Sequence, residues 1–548
     1  MGAAQSEPEL TVDERDVTVR SAAVMSTGTL VSRATGLVRV TVTLAALGLT
    51  TLSDTYNAAN TTPNIVYELL LGGILTSIFV PVFVDHVAQR ADERWDVANR
   101  ILTVTVVVLA FAALVGILAA PWIMRLYLSG VPEGAERDQQ VALGTFFLRW
   151  FLPQMVFYGI TAVASGILTA HRRFVAQSYA PVLNNMAVIV TMLAFLALQD
   201  GAAPTIEGLS AGERTLLAAG TTLGVVAMAL ALWPAIHRLG FRLRPRLDVR
   251  HEAIRSLLRL AKWVVVYVVA NQVAYLLIIN LNQRVEPGAY TAYSQAFIFF
   301  SLPHAIVAVS IVTTLLAGLA ERWTRSDVAG TRELFSRGLR DTEVAMLPAA
   351  TGFVALAGPI VALLADYGAV STEGVDLLTA TLTAFAVGLP FFSAFQLLTR
   401  TFYATQDSRT PALVNIGAAV VNIAVAVLLG LVLDLGVPGL ALGHAASYAV
   451  GSVVLFLLLR RRLAGADGRR IASTVLRATA AAAVSGVAAF LTAEAIAAVI
   501  ELDRPLTRLL QVAAGIAVGV LVFGVAALMM RVREVDEVRT ALFSRFRR

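Results

Sequence analysis

Residues 21–49 read SAAVMSTGTLVSRATGLVRVTVTLAALGL, an apolar run long enough to cross a bilayer that carries Arg33 and Arg39 near its middle. At about 1.5 Å of rise per residue, Arg33 lies about 18 Å from one end and Arg39 about 15 Å from the other. Neither side chain can reach the bilayer surface from there. An arginine at the bilayer centre costs about 2.5 to 3.5 kcal/mol, so such residues normally face a wet cavity and mark a transport pathway. The alternative is that one or both pair with a carboxylate such as Glu68 and only join two helices.

The composition is that of an integral membrane protein. The 548 residues are 57% hydrophobic and 15% charged, with a mean hydropathy of +0.74, whereas soluble proteins have about 25% charged residues. The absence of cysteine excludes disulfides, thiolate metal sites and cysteine nucleophiles. The single lysine, Lys262, follows no glycine-rich loop, which excludes a Walker-type ATPase. We therefore expect a transporter and not an enzyme, with no metal and no cofactor, although a coupling cation stays open.

Apolar runs of about 20 or more residues recur along the whole chain, and each is a candidate transmembrane helix. They predict an all-α polytopic membrane protein with about fourteen spans. After the first, the predicted spans are 64–85, 101–126, 141–169, 176–199, 214–236, 256–281, 289–319, 344–365, 376–404, 410–433, 438–459, 472–499 and 506–531.

The loops between these spans alternate in charge. One set is rich in arginine, as in Arg460-Arg461-Arg462, and the other set has no lysine or arginine, as in the predicted loops 50–62, 199–213 and 366–375. By the positive-inside rule the arginine-rich loops are cytoplasmic, so the number of spans is even and both termini lie inside. The basic residues, and the pI near 9.8, thus reflect topology in the plasma (inner) membrane and not a nucleic-acid partner.

A weak internal repeat relates the first twelve spans. Thr62-Pro63 in span 2 corresponds to Leu302-Pro303 in span 8, and Ala180-Pro181 in span 5 corresponds to Thr410-Pro411 in span 11. Six spans precede the second copy, so the two halves enter the membrane with the same orientation. This predicts two parallel six-helix lobes around a central cavity, as in alternating-access transporters. The alternative is that a few prolines recur by chance.

This repeat sets the predicted division of the chain. Residues 1–20 are polar and acidic, which indicates a cytoplasmic tail and not a signal peptide. The predicted parts are the tail 1–20, an N-lobe 21–237 of spans 1–6, a C-lobe 238–470 of spans 7–12, a helix pair 471–531 of spans 13–14, and a basic cytoplasmic tail 532–548.

Polar residues inside the predicted spans are the candidates for substrate binding. Arg33 and Arg39 suit an anionic group such as a diphosphate, because a guanidinium stays charged and matches phosphate geometry. The other candidates are Asp54 at the outer end of span 1, Asn64 and Glu68 in span 2, and Asn271 and Gln272 in span 7. An acid in the membrane must pair or become protonated, which favours Glu68. The amides have the alternative role of joining helices by hydrogen bonds.

Several motifs resemble the MurJ (MviN) lipid II flippases, within the multidrug/oligosaccharidyl-lipid/polysaccharide exporter superfamily. The resemblance rests on four stretches in the same order as in that family. They are Ser32-Arg33-Ala34-Thr35-Gly36-Leu37-Val38-Arg39 with Ser53-Asp54, Pro63-Asn64 with Gly73-Ile74-Leu75-Thr76-Ser77-Ile78-Phe79-Val80-Pro81, Gly166-Ile167-Leu168-Thr169-Ala170-His171-Arg172-Arg173-Phe174, and Arg400-Thr401-Phe402-Tyr403-Ala404-Thr405-Gln406-Asp407-Ser408-Arg409-Thr410-Pro411.

The resemblance implies fourteen helices, with spans 13 and 14 forming a groove for the lipid tail. It also implies that Arg33, Arg39 and Asp54 occupy required positions, with the arginines at the lipid diphosphate. This chain departs from the family at two places. The arginine pair common after Pro-Asn in span 2 is here Tyr67-Glu68, and an arginine often found in span 8 falls on Ile298. A less positive cavity is expected from these replacements.

The predicted function is therefore to flip lipid II from the cytoplasmic to the outer leaflet by alternating access, driven by the membrane potential or an ion gradient. Three alternatives stay open. The first is export of another polyprenyl-diphosphate-linked oligosaccharide, and the second is drug export, which two central arginines disfavour because drugs of that class are cationic. The third is a scaffold that recruits cell-wall synthesis proteins without transporting. Lipid II binding would separate the scaffold from the transporters.

Overall fold

The computed structural model describes residues 12–70, 91–171, 173–199, 204–248, 273, 275–499 and 504–546. In that part of the chain every regular element is helical, which agrees with the predicted all-α class. The chain divides into two compact units, unit 1 (Met1–Leu276) and unit 2 (Leu277–Arg548).

Seven helices make up the described part of unit 1. They are α1 (Val12–Leu47), α2 (Thr51–Leu69), α3 (Ala91–Tyr127), α4 (Ala135–Phe151), α5 (Gln154–Ala170), α6 (Val175–Leu198) and α7 (Ala211–His237). Helix α6 packs against both α1 and α7, and α4 and α5 connect α7 to α2 and α3. The helical backbone of α1 begins at Val12, inside the predicted N-terminal tail.

Helix α2 begins thirteen residues before the predicted start of span 2. Gly48, with φ of 67°, ends α1 in the left-handed conformation that glycine adopts without strain. Thr50 then caps α2: its hydroxyl accepts from the Ser53 N–H, and the Ser53 hydroxyl accepts from the Thr50 N–H. Reading residues 50–62 as a loop was therefore wrong, because this polar stretch forms a capped helix inside the bundle.

The segment that follows α7 is held against the beginning of α3. The Asn99 amide donates to the Arg242 carbonyl oxygen (3.0 Å), and its side-chain oxygen accepts from the Arg244 N–H (2.7 Å). Arg100 pairs with both Asp96 and Asp248. These bonds make residues 241–248 part of unit 1 although they are not helical.

A helical stretch at 275–283 runs from the end of unit 1 into unit 2. Ten α-helices and two π-helical segments, His304–Ala308 and Val427–Val432, follow in the described part of unit 2. The α-helices are α8 (Ala289–Pro303), α9 (Val309–Thr324), α10 (Val328–Ala365), α11 (Thr372–Val387), α12 (Leu389–Ala404), α13 (Arg409–Ala426), α14 (Gly436–Arg462), α15 (Gly468–Val499), α16 (Arg504–Met529) and α17 (Arg533–Phe546). Helix α10 packs against α9, α11, α12, α15 and α16, which makes it the central helix of this unit.

Helices α13 and α14 cross at small residues. A Cβ at Gly439 would lie 2.7 Å from the backbone nitrogen of Gly430, and one at Gly443 would lie 2.7 Å from the backbone nitrogen of Ala426. The spacing of Gly439 and Gly443 is that of the GxxxG motif, which lets two backbones approach closely. A larger residue cannot be accommodated there by moving a side chain alone, because the obstructing atoms belong to the backbone.

The turn between α12 and α13 is fixed by Asp407. Its carboxylate accepts from the N–H (3.0 Å) and the hydroxyl (2.8 Å) of Thr410 and from the Arg462 guanidinium (2.9 Å). Arg462 also donates to the Thr405 carbonyl oxygen and lies over the Trp323 ring, 5.2 Å from its centroid. Burial raises the pKa of Asp407, but these hydrogen bonds and the guanidinium outweigh it, so the pKa lies below its ordinary value.

Helix α17 lies where a basic tail, 532–548, was predicted. Val532 and Val535 pack into a cluster with Ala481, Phe523 and Ala527. Two ion pairs join α17 to α10 in antiparallel register: Arg340 with Glu534, and Arg337 with Glu537 at 2.9 Å. The side chains of Arg340 and Glu534 are 6% and 5% exposed, whereas those of Arg337 and Glu537 are both 59% exposed.

Most predicted spans correspond to described helices. Within the described residues, eleven helical runs are long and apolar enough to cross a bilayer, and α11 with α12, bent by 47° at Gly388, brings the number to as many as twelve. The predicted spans 64–85 and 256–281 lie largely outside the described residues, so the total of fourteen stays a prediction. Span 9 was predicted to begin at residue 344, but α10 begins at Val328 because its first turns continue the helix beyond the apolar run.

Candidate functional site

The two arginines of α1 lie on a helix whose rotation is fixed by α6. The Asn185 amide of α6 donates to the Ser32 carbonyl oxygen (3.1 Å) and to the Thr35 hydroxyl (3.0 Å). In this orientation Arg33 is exposed and Arg39 is half-buried. The ion pairs described in unit 1 belong to other arginines, namely Arg100, Arg137 and Arg246.

Asp54 lies in the first turn of α2 and not at the end of the first span, as the sequence had suggested. The physical reason is the Gly48 turn, which ends α1 before the apolar run finishes. The Asp54 side chain is buried, with the residue 3% exposed. A carboxylate is favoured there because the first turn of a helix carries a partial positive charge.

Asn64, further along α2, belongs to a polar and aromatic cluster around Tyr158 of α5. The Tyr158 hydroxyl donates to the Asn64 side-chain oxygen at 3.2 Å. The Tyr158 ring lies 4.4 Å from the Tyr67 ring, centroid to centroid, with the planes tilted by 36°. Arg39 lies close enough to interact electrostatically with Tyr158 and with Tyr56. The structure thus brings Arg39 and Asn64, two predicted site residues, to the same tyrosine.

Other polar residues of α2 point into the helix bundle. The Tyr56 hydroxyl hydrogen-bonds with the Thr221 hydroxyl of α7 at 2.6 Å, and the Thr62 hydroxyl with the Tyr127 hydroxyl of α3 at 2.7 Å. The Phe147 ring also packs edge-on against the Tyr56 ring, with 5.6 Å between the ring centroids. These bonds hold α2 in place, and so fix the positions of Asn64 and Tyr67 on the same helix.

Three predicted site residues cannot be placed in full. The backbone of Glu68 belongs to α2, the helix in which it was predicted, but its side chain is outside the described part. Asn271 and Gln272 lie outside the described residues. The roles of these three, and the alternative that Glu68 pairs with an arginine of α1, therefore stay predictions.

Tyr158 is the residue that sequence reasoning missed. It is 3% exposed, donates a hydrogen bond to Asn64 and lies within electrostatic range of Arg39. The one available signal was a tyrosine inside a span, at a depth where aromatic residues of the membrane interface are not expected. A neutral side chain is not selected by the same argument as an arginine, because burying it in a membrane helix costs far less free energy.

A many-helix membrane bundle with half-buried cationic and amide side chains on its first two helices is the architecture of a polytopic membrane transporter. The family profile of the lipid II flippase MurJ matches residues 44–502. The chain belongs to the MurJ lipid II flippase family.

Relatives of known name agree with this assignment. The lipid II flippase MurJ of Burkholderia cenocepacia is 29% identical over 442 residues, which cover 79% of this chain and 82% of that protein. A probable lipid II flippase MurJ of Rhizobium meliloti is 28% identical over 514 residues and covers 92% of both chains.

Solved structures show the same fold. A structure of lipid II flippase MurJ in an inward closed conformation superposes with a TM-score of 0.72 at 18% identity, covering 93% of this chain and 99% of that one. An inward-facing transporter of the multidrug resistance MATE family, in the MOP superfamily, gives a TM-score of 0.63 at 15% identity and covers 79% of this chain.

Proposed function

We propose that this protein moves lipid II from the cytoplasmic to the outer leaflet of the plasma membrane by alternating access. The family supports the substrate, and the fold supports the transport mode. The observation in the structure that carries the proposal is Arg39, which is half-buried in the first span and lies within electrostatic range of the buried Tyr158. A fixed cation at that depth can neutralise the diphosphate of a ligand that enters the membrane.

In this mechanism Arg33 and Arg39 neutralise the diphosphate while the site is open to the cytoplasm. A phosphate cannot leave water without such compensation, and arginine supplies paired donors that remain charged at any physiological pH. The lipid tail stays in the bilayer during the change of conformation. The membrane potential can drive this step without ATP, because moving one elementary charge through 100 mV is worth about 2.3 kcal/mol.

The orientation with both termini in the cytoplasm and the groove of spans 13 and 14 for the tail belong to this proposal. So do the parallel lobes and contacts with cell-wall synthesis proteins. The arginine-rich loops support the orientation. A coupling cation, if one is used, would be held through Glu68 or Asp54.

The test is native mass spectrometry of the purified protein with lipid II and with a polyprenyl diphosphate that has no sugar. Wild type is compared with Arg33→Ala/Arg39→Ala. Arg238→Ala serves as the matched control, because Arg238 is an exposed arginine at the end of α7, away from the cluster around Tyr158. We expect the double variant to lose lipid II binding and the control to keep it.

Each outcome separates the competing functions. Equal binding of both lipids would leave only diphosphate recognition and favour export of another polyprenyl-linked oligosaccharide. The absence of any lipid binding by the wild type would favour a scaffold. In cells depleted of their own flippase, restored growth with both arginines replaced would show that the site is assigned wrongly.

A further inference from the structure

The cluster around Tyr158 contains groups that a diphosphate does not need. The charge of a diphosphate is neutralised by cations, and Arg33 and Arg39 supply these. Asn64 and Tyr67 are uncharged, lie on one face of α2 three residues apart, and are both half-buried. Both contact Tyr158, which lies within electrostatic range of Arg39.

The hydrogen bond between Tyr158 and Asn64 uses the side-chain oxygen of Asn64 and not its N–H groups. Because the Tyr158 hydroxyl donates to the Asn64 oxygen, that oxygen is engaged and the amide plane is fixed. The Asn64 nitrogen then offers N–H donors that suit a hydroxyl or carbonyl oxygen. Tyr67 adds an aromatic face, and aromatic faces attract the slightly positive C–H groups of a sugar ring.

The chemistry of the ligand matches this arrangement. In a polyprenyl-diphosphate-linked sugar, the second phosphate is bonded directly to the first sugar. The sugar must therefore lie next to whatever binds the diphosphate. Asn64 and Tyr67 meet that condition, because Tyr158 contacts both and lies within electrostatic reach of Arg39.

We propose that Asn64 and Tyr67 form the subsite for the sugar attached to the diphosphate, and that Tyr158 is a positioning residue that orients both. The inference rests on the proposed function and adds which part of the ligand the cluster around Tyr158 recognises. The departure from the family pattern at Tyr67 falls within this subsite. The chain thus has an aromatic ring where a further cation is common, which suits a neutral sugar better than a phosphate.

The experiment measures a preference and not only an affinity. Dissociation constants are determined in detergent micelles for lipid II and for the sugar-free polyprenyl diphosphate, and their ratio gives the contribution of the headgroup beyond the diphosphate. A polyprenyl diphosphate carrying one sugar is the third ligand, since it isolates the first sugar from the rest of the headgroup.

Four variants distinguish the roles. We expect Tyr67→Leu and Tyr158→Phe each to reduce the sugar-dependent preference by roughly 3- to 10-fold, the size of one lost hydrogen bond or ring contact, while affinity for the sugar-free lipid stays unchanged. Tyr67→Phe should retain the preference because it keeps the ring. Tyr127→Phe is the matched control, because Tyr127 is another buried tyrosine whose hydroxyl bonds to α2, at Thr62.

The outcomes are separable from those of the proposed function. If Tyr67→Leu and Tyr158→Phe weaken both lipids equally, the cluster supports only the fold or the diphosphate site, and the inference is wrong. If neither variant changes the ratio, the sugar is bound elsewhere. If wild type binds neither lipid, the proposed function itself fails, whatever the variants do.

Discussion

Replacing Glu534 by glutamine should detach helix α17 from the rest of unit 2. Glu534 and Arg340 are almost fully buried, so the substitution leaves the Arg340 charge without its partner in a low-dielectric environment. The Arg340 Nε–H still donates to the Ser336 carbonyl oxygen at 3.1 Å, but that bond does not compensate the charge. Breaking a buried ion pair by removing one partner costs about 3–5 kcal/mol.

The neighbouring pair provides the control within the same interface. Glu537 contacts Arg337 one turn away, and both side chains are 59% exposed. Pairs of this kind contribute about 0–1 kcal/mol because water and salt screen them. The Glu537→Gln substitution removes the same charge from the same helix at an exposed position, where Arg337 also keeps a second partner, Asp341, at 3.7 Å.

Hydrogen exchange of the peptide amides in Arg533–Phe546 measures the opening of α17 directly. Since 1.4 kcal/mol corresponds to a factor of ten, Glu534→Gln should raise the opening equilibrium by about 100-fold or more, up to complete loss of protection. Glu537→Gln should raise it by less than about fivefold. A double variant, Arg340→Met/Glu534→Leu, should restore protection, because apolar residues of similar size replace buried ion pairs well. Equal effects of the two glutamine variants would refute the reasoning from burial.

Three further predictions concern other parts of the molecule. Gly443→Ala should destabilise the protein by about 1–3 kcal/mol, because the added Cβ meets backbone atoms. Gly417→Ala should instead stabilise α13 by about 0.5–1 kcal/mol, because no atom lies within 4 Å of the added Cβ. Thermal unfolding measures both changes. The pKa of Asp407 is lowered by folding, so its contribution is present above its ordinary value of 3.8 and is lost as the pH falls through the lower folded value. The difference in thermal stability between wild type and Asp407→Asn should therefore be constant near neutral pH and shrink below about pH 4, and a difference that grows on acidification would contradict this. Tyr67→Arg should raise the affinity for polyprenyl diphosphates with and without sugar and reduce the preference between them, which the same binding assay measures.

Hydropathy predicted most helices because a run of apolar residues is required wherever a helix faces lipid. Hydropathy did not predict the beginning of α2, because that part of the helix faces other helices and not lipid. Residues such as Thr55 and Tyr56 face other helices of unit 1, where hydroxyl groups bond to one another and apolar side chains are not needed. A sequence window cannot distinguish a polar loop from a polar helix buried in a bundle, although the Thr50–Ser53 capping pair was a local signal of the helix start.

The candidate site was predictable where charge was involved. Arg39 could be selected because an arginine inside a span needs a reason. The structure places it within electrostatic range of Tyr158, which donates a hydrogen bond to another selected residue, Asn64. Tyr158 itself could not be selected, since its importance lies in contacts between residues more than 90 positions apart. The same limit hid the pairing of Arg340 with Glu534, which are close only after folding.

The combination of cations with a neutral cluster has a consequence for selectivity. Arginines alone would bind any polyprenyl diphosphate, since their attraction depends on charge and not on the attached sugar. A site discriminates when the wrong ligand leaves its polar groups desolvated and unpaired. Beside a diphosphate without sugar, the N–H groups of Asn64 and the ring of Tyr67 would lose water and gain no contact with the ligand. In the proposed site, the cations would therefore supply affinity for the class of lipid, and the neutral cluster would penalise the members of that class that lack the sugar.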